Sequence, residues 1–446
     1  MPWVQALHDF LWGLTVDWVV LVGLFLTLGL QFQPVWRLPW ALRLLVQAIR
    51  RPRAGPGEIS SIAALMTSLG GTLGVGQLSG MVISLSIGGP GVVPWMWLVT
   101  VLGLATRFSE TYLAVRFRRR DDRGQVIGGP MEAIQTGLGQ HWQALAVLFA
   151  VFGTVGVFGP GNGLQVQHMA QALHHLSGLP PLAMGLVASA LAAWVLCGGL
   201  GRISRMALLL VPLMMLVYLL TVAVLLGVHA AQVPAALGTM LNAAFKTQAL
   251  SGGALALMLR TAVRSAVFAN DTGLGTNPIA FAAAAPADPR RQGAISMLDS
   301  VFSMLVCTAT ALVLLVSGTL DDPTALQTSF LGDPGGMGLL LDAFSSGLAG
   351  SDRVVSLVMA LFSFTTLVTF GFYGERCITF LVGPRGRRPF QLVWIGIAAA
   401  ASSNALPDLW VLANTLDALM VLPNLLVLLL LSGSIFQAVV PSRGPS

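Results

Sequence analysis

Two glycine-rich runs lie where apolar helix would otherwise continue: Gly70-Gly71-Thr72-Leu73-Gly74-Val75-Gly76 and Asn270-Asp271-Thr272-Gly273-Leu274-Gly275-Thr276-Asn277-Pro278. Glycine weakens a helix by about 1 kcal/mol per residue, and Pro278 lacks an amide proton and clashes with the preceding turn. Both helices are therefore predicted to break. The inner ends of a broken helix carry unpaired backbone groups, and these have chemistry to offer. Residues Gly76-Gln77-Leu78 open the second half of the first helix, where N–H groups and the positive dipole end suit a carboxylate. The first half ends near Leu69–Gly71, and the other helix first ends near Phe268-Ala269. Free carbonyls at those ends suit a cation or an ammonium group. Asn277-Pro278 reads as N-cap and N1 of the restarting half. A carboxylate acceptor close to an ammonium acceptor describes a site for a zwitterion, and an amino acid is the natural candidate.

Positioning such ends requires a membrane. The chain has 446 residues, of which 55% are hydrophobic and only 9% charged, with a mean hydropathy of +0.80. A soluble domain carries about 25% charged residues, so this chain cannot cover a soluble surface. A cytosolic enzyme, a nucleic-acid-binding module and a disordered scaffold are excluded, and the polypeptide belongs in a lipid bilayer. Apolar runs such as Trp18–Leu30, Met206–Leu226 and Leu409–Leu431 are helix-sized, unlike barrel strands of about ten residues. The fold class is thus an all-α polytopic membrane protein. Cys197, Cys307 and Cys377 lie in apolar segments and read as small buried packing residues. Met1–Trp12 has no basic segment, so no cleavable signal peptide is expected.

Eleven transmembrane helices are predicted, at about 14–31, 59–87, 91–117, 142–175, 181–199, 205–228, 250–285, 293–318, 352–382, 390–404 and 408–432. Eighteen arginines fall in alternate connections, from Arg37–Arg53 to Arg443, while the opposite set holds His174, His175, Lys246, Arg353 and an acidic stretch. The positive-inside rule then places the N-terminus outside and the C-terminus in the cytoplasm. The connection 319–351 lies outside, with room for a short re-entrant or surface helix around Gly338–Leu348. Without the first helix ten remain, and the broken helices are the first and sixth of them. Irregular backbone at membrane depth survives only when buried in protein or lining a polar cavity. Breaks at matching places of two five-helix halves indicate a transporter with inverted repeats and a midplane site; two small-residue packing kinks are the plainer reading. The corresponding division is an extra helix at 1–33, repeats at 34–230 and 231–432, and a cytoplasmic tail at 433–446.

Several motifs resemble the alanine/glycine:cation symporters (sodium:alanine symporters). They are Thr67-Ser68, Gly88-Gly89-Pro90-Gly91 with Trp95-Met96-Trp97, Gly128-Gly129-Pro130-Met131, Phe268-Ala269-Asn270-Asp271-Thr272-Gly273-Leu274-Gly275, Pro278-Ile279-Ala280, Gln292-Gly293, Cys307-Thr308 and Tyr373-Gly374-Glu375-Arg376-Cys377. The resemblance runs from about Pro34 to Leu431. It implies the five-plus-five (LeuT-like) architecture with one extra N-terminal helix, and uptake of alanine or glycine coupled to sodium, in some members to protons. Where the family reads Gly-Thr-Gly-Asn-Ile-Ala-Gly, this chain has Gly74-Val75-Gly76-Gln77-Leu78-Ser79-Gly80. The family's tryptophan four residues after a Ser/Thr pair is Phe370, and its Asp-Thr ahead of the cysteine is Phe302-Ser303. These departures bear on substrate and ion, not on fold.

The candidate substrate site comprises Gly74, Val75, Gly76, Gln77, Leu78, Asn162, Gln165, Phe268, Ala269, Asn270 and Phe370. Asn162 and Gln165 read either as an interhelical hydrogen bond of about 0.6–2 kcal/mol or, by resemblance, as cavity lining. Thr365 and Thr366 either back-bond to their own helix or, by resemblance, complete a sodium site with the carbonyls of Gly71 and Leu73. Asp271 is an intramembrane carboxylate, functional by default. Gating or structural support at the break, with Gly273 and Gly275, is its expected role, with capping or a pair to Arg264 as the plainer ones. Glu110 near Arg107, and Glu375 beside Arg376, read as paired or snorkelling. Asp299 and Asp417 are isolated in spans, and either could hold a proton. The expected function is symport of small neutral amino acids with a cation, sodium first and protons second; another zwitterion is the alternative. No cofactor is expected. A membrane enzyme lacks support because the six histidines show no metal spacing, and a channel lacks it because no filter repeat is visible.

Overall fold

The computed structural model describes residues 2–50, 57–120, 124–245, 253–321, 336–402 and 407–439. The first broken helix forms because Ser60 caps its start, accepting from the Ala63 N–H. Helix α1 (Pro2–Gly29) and helix α2 (Leu38–Arg50) precede it. The broken helix itself consists of α3 (Ser61–Thr72) and α4 (Val75–Gly88), bent by 45°. The break falls at Leu73-Gly74, slightly beyond its predicted place, because the Leu73 N–H still closes on the Leu69 carbonyl at 2.7 Å.

The second broken helix begins as α11 (Gly253–Asn270), after α5 (Val92–Arg116), α6 (Gln143–Gly156), α7 (Leu164–Ser177), α8 (Pro181–Leu196), α9 (Gly199–Val228) and α10 (Val233–Phe245). Three residues of its break sit at positive φ: Asp271 at 47°, Gly273 at 89° and Gly275 at 79°. The restart, α12 (Pro278–Ala282), is only five residues long. The prediction of helix to residue 285 is corrected here. Ala284–Ala285 is a short strand in parallel register with Ile59–Ser60, because Pro286 disfavours helical backbone in the residue before it. Asn277 is also not an N-cap: its φ and ψ of −60° and −37° are helical and its side chain makes no capping bond.

The remaining helices are α13 (Pro289–Val316), α14 (Met337–Gly347), α15 (Ser351–Val382), α16 (Arg387–Ala401), α17 (Pro407–Leu430) and α18 (Ser432–Val439). Among the described residues six helices are long and apolar enough to cross a membrane, or eight if each of two bent pairs is one span. The other three predicted spans coincide with α8, α11 and α16, of 16, 18 and 15 residues. At 1.5 Å rise per residue these measure roughly 22–27 Å, short of a hydrocarbon core of about 30 Å. The predicted 142–175 span is interrupted by a π-turn at Gly159–Gly163 between α6 and α7. Helix α14 stands where the short helix was expected. Cys307 and Cys377 are buried as expected, whereas Cys197 is exposed.

The core forms where α13 runs along α5, α15 lies against α7 and α9, and α17 packs on α6 and α1. Helix α1 is part of this core, with the Trp12 and Phe268 rings 4.4 Å apart. In the connection between α5 and α6, buried Glu132 takes a 2.6 Å ion pair from Arg119. Burial pushes the Glu132 carboxyl up, and Arg119 pulls it back.

The second break depends on glycine at one close approach. A Cβ on Gly275 would lie 2.6 Å from the Pro130 ring and 2.9 Å from the Asn424 carboxamide. Gly275→Ala should destabilise the protein by about 1–2 kcal/mol for its positive φ and about 1–3 kcal/mol more for overpacking. Thermal unfolding in detergent will read this. Gly76→Ala, where a Cβ meets nothing within 4 Å, should leave the transition in place.

Candidate functional site

The two breaks face a common cavity of about 670 Å³. Of the predicted site residues it is lined by Gly71, Gly74, Gly76, Gln77, Gln165, Phe268, Ala269, Asp271, Thr366 and Phe370. Leu73, Val75, Leu78, Asn162, Asn270 and Thr365 are buried behind that wall, and Gly273 and Gly275 belong to the connection of the second break. Asn162 is used structurally, its Nδ2 donating to the Trp394 carbonyl at 3.0 Å.

Gln77 straps the breaks together. Its Nε2 donates to the Ala269 carbonyl and, at 2.8 Å, to Ser303 Oγ. Two positions where the chain departs from the resembled pattern therefore touch. The longer amide spans from α4 to both α11 and α13, and the hydroxyl receives it. Gln165 is held from the other side, with Nε2 on the Pro160 carbonyl at 2.8 Å. Gly74 lies between walls: a Cβ there would sit 3.0 Å from Thr366 Oγ1 and 3.2 Å from Gln165 Nε2. Gly76 and Gly80 instead face open space.

The polar atoms left over share one character. Gln77 Oε1, Gln165 Oε1 and Asp271 Oδ2 are buried and have no hydrogen-bond partner. All three are acceptors on the cavity-lining residues, and a buried acceptor left unpaired costs about 1–3 kcal/mol. These three atoms suit a ligand that brings N–H donors or positive charge, while Arg260 and Arg264 line the same cavity and suit negative charge. Val75 and Gly76 open α4, and the N–H groups at the start of a helix lack intrahelical partners.

The threonine pair divides. Thr365 back-bonds to the Phe362 carbonyl at 3.0 Å. Thr366 Oγ1 instead reaches the Gly70 and Gly71 carbonyls at 3.0 and 3.2 Å, at the carbonyl end of α3. Thr369, not singled out in the sequence, packs against Gly71 with its buried hydroxyl unpartnered. Its i+3 spacing from Thr366 was the available signal, since it places both hydroxyls on one helix face. Arg260 and Arg264, also overlooked as lining residues, stand on the cavity wall in α11. Arg264 lies over the Phe268 ring, 5.8 Å from its centroid.

Behind the cavity lies a buried cluster that the sequence did not reveal. Arg107 has no exposed surface. It donates to the Asn270 carbonyl, the last of α11, and sits 3.7 Å from Asp299. The Asn277 amide oxygen is 2.7 and 2.9 Å from its two terminal nitrogens, and the Asn277 amide nitrogen meets Tyr373 Oη at 3.0 Å. Asp299 also accepts from Ser68 at 2.5 Å and lies 3.2 Å from Thr72 Oγ1. Asp299 is therefore not isolated, which corrects the expectation. Asp417 is: neither carboxyl oxygen has a partner. Glu110 does not pair with Arg107 but accepts from the Gly273 N–H at 3.1 Å and Asn424 Nδ2 at 2.6 Å. Glu375 pairs with Arg387 at 2.9 Å, leaving Arg376 to Glu58 at 3.6 Å.

This geometry has close relatives. The profile of the sodium:alanine symporter family matches residues 1–441. The sodium/alanine symporter AgcS of Methanococcus maripaludis is 35% identical over 434 residues, covering 96% of this chain and 94% of that protein. A transporter of Haemophilus influenzae is 36% identical over 440 residues, covering 96% and 92%. Among solved structures, MhsT in complex with L-phenylalanine superposes with a TM-score of 0.58 over 84% of this chain and 90% of that one, at 13% identity. That likeness shows a shared fold only. Two interrupted helices around a cavity, on a multi-pass helical scaffold matched end to end, identify a transporter and not an enzyme: the chain belongs to the sodium:alanine symporter family.

Proposed function

We propose that the protein is a secondary symporter that imports small neutral amino acids of the alanine/glycine type together with sodium, by alternating access around the cavity. The observation that carries this reading is the trio of unpaired acceptors, Gln77 Oε1, Gln165 Oε1 and Asp271 Oδ2, on residues that line one cavity with Gly76 of the first turn of α4. An ammonium group satisfies the acceptors, and a carboxylate fits the N–H groups of Val75 and Gly76. A zwitterion is the small ligand that answers both. Phe268, Phe370 and the open space at Gly76 and Gly80 then bound the side chain.

The coupling cation belongs at the other side of the first break. If Thr366 turns its O–H away, its oxygen joins the Gly70 and Gly71 carbonyls around one point, with the Leu73 carbonyl and Thr369 close by. Sodium, a hard cation, takes such oxygens. Thr365, tied to its own helix, supports from behind. Asp271, at positive φ in the second break, guards the cavity floor. The architecture in this reading has eleven spans, an extra helix at 1–33, inverted repeats at 34–230 and 231–432, the N-terminus outside and the tail 433–446 in the cytoplasm; residues 440–446 lie outside the described residues.

Uptake of labelled alanine and glycine into proteoliposomes tests this directly. A sodium gradient should drive accumulation and a matched proton gradient should not; accumulation driven by protons alone would transfer the coupling role to a carboxyl, with unpartnered Asp417 first in line. Thr366→Ala should raise the sodium concentration for half-maximal uptake by about tenfold or more, the equivalent of one lost cation ligand, whereas Thr365→Ala should change it by less than about threefold. Gly76→Val should fill the open space and raise KM for alanine by about tenfold or more without loss of folding; an unchanged KM would place the substrate elsewhere.

A further inference from the structure

The carbonyl ends of the two broken helices are treated differently, and this bears on how many cations the protein uses. At the first break, among the described residues, the Gly70 and Gly71 carbonyls take the Thr366 hydroxyl alone, a contact that rotation about one bond releases. At the second break, the Ala269 carbonyl takes the Gln77 amide and the Asn270 carbonyl takes Arg107. The Arg107 guanidinium also holds the Asn277 amide oxygen just before α12 and stands 3.7 Å from Asp299. It is wholly buried and is carried by α5, the helix along which α13 and α11 both pack. A positive charge is therefore fixed at the place where the negative dipole end of α11 and the Asp299 carboxylate would otherwise attract one.

We infer that Arg107 is a resident cation that occupies the second break permanently, so that the protein couples transport to a single exchangeable cation at the first break. This rests on the proposed symport for its transport consequence, but not for its structural one. Removing the guanidinium charge leaves the Asn270 and Asn277 oxygens and the Asp299 carboxylate around a vacated position. Asp299 Oδ1, unpartnered in the native protein, adds to an oxygen-rich set of the kind a hard cation takes. An arginine-to-glutamine change should thus create a cation requirement where none existed.

The test has two readouts on purified, reconstituted protein. In the native chain, labelled sodium and labelled alanine should enter in a ratio of about one, and sodium activation should show a Hill coefficient of about one; a ratio of two would overturn the inference. In Arg107→Gln, sodium should raise the thermal midpoint at concentrations that leave the native protein unaffected beyond its own saturable response. Its sodium activation should steepen toward a Hill coefficient of about two. A folded variant with unaltered sodium dependence of both stability and uptake would also overturn it. If Arg107→Gln alone does not fold, the double variant Arg107→Gln with Asp299→Asn removes both charges and should fold without acquiring the sodium response; a folded Arg107→Gln in potassium-only buffer equal in stability to the native protein would count against the inference. Should native uptake prove independent of sodium, the proposed symport fails, and the thermal response of Arg107→Gln still decides the role of Arg107.

Discussion

The two broken helices depend on one buried guanidinium. A helix stopped in the middle of a membrane exposes carbonyls that hydrocarbon cannot satisfy, and a lone arginine in that environment is equally costly. Placed together the two needs cancel: Arg107 gives its protons to the end of α11 and to Asn277, and its charge is balanced by Asp299. The cluster is closed from the first broken helix by Ser68 and Thr72. Residues from α3, α5, α13 and the second break thus meet in one contact set, and removing any one member leaves a buried polar group alone, typically at a cost of about 3–5 kcal/mol where a charge is stranded.

A second set of bonds governs the cavity side. Glu110 and Asn424 pin the Gly273 backbone at both its N–H and its carbonyl, where the residue sits at positive φ. Gln77 then spans the gap between the breaks to reach Ala269 and Ser303. Its amide protons are spent there, and its oxygen is left as a buried, unpaired acceptor. Part of the character of the site, the unpaired amide oxygens of Gln77 and Gln165, follows from how the scaffold uses their amide protons, while Arg260 and Arg264 bring donors to the same wall.

Flexibility and rigidity are divided between the breaks in the same way. The second is held by charge, amides and glycine turns with close neighbours; at the first, Ser68 and Thr72 tie the last turn of α3 to Asp299, while the Gly70 and Gly71 carbonyls take the Thr366 hydroxyl. A transporter needs one part of its site to rearrange while another keeps register, and the bonding supplies that asymmetry.

Much of this was legible in the sequence. Composition placed the chain in a bilayer, and Gly70–Gly76 and Asn270–Pro278 located both breaks to within a few residues, because backbone preference and desolvation act locally. Gln165 and Phe370 were singled out through motif resemblance and Phe268 through where its helix was expected to end, and all three line the cavity, as does Thr366, expected as a cation ligand. What tertiary structure alone decided were the pairings across hundreds of residues. Asp299 looked isolated because Ser68 and Arg107 are distant in sequence, and Arg107 looked like a helix-end arginine because spacing cannot report that α11 ends against it. Asn277 looked like a cap because Asx before proline usually is one; in the fold its amide is claimed by a guanidinium. Thr365 and Thr366 were equivalent as residues, and only the direction in which α15 faces α3 separates a hydroxyl on its own helix from one on the break.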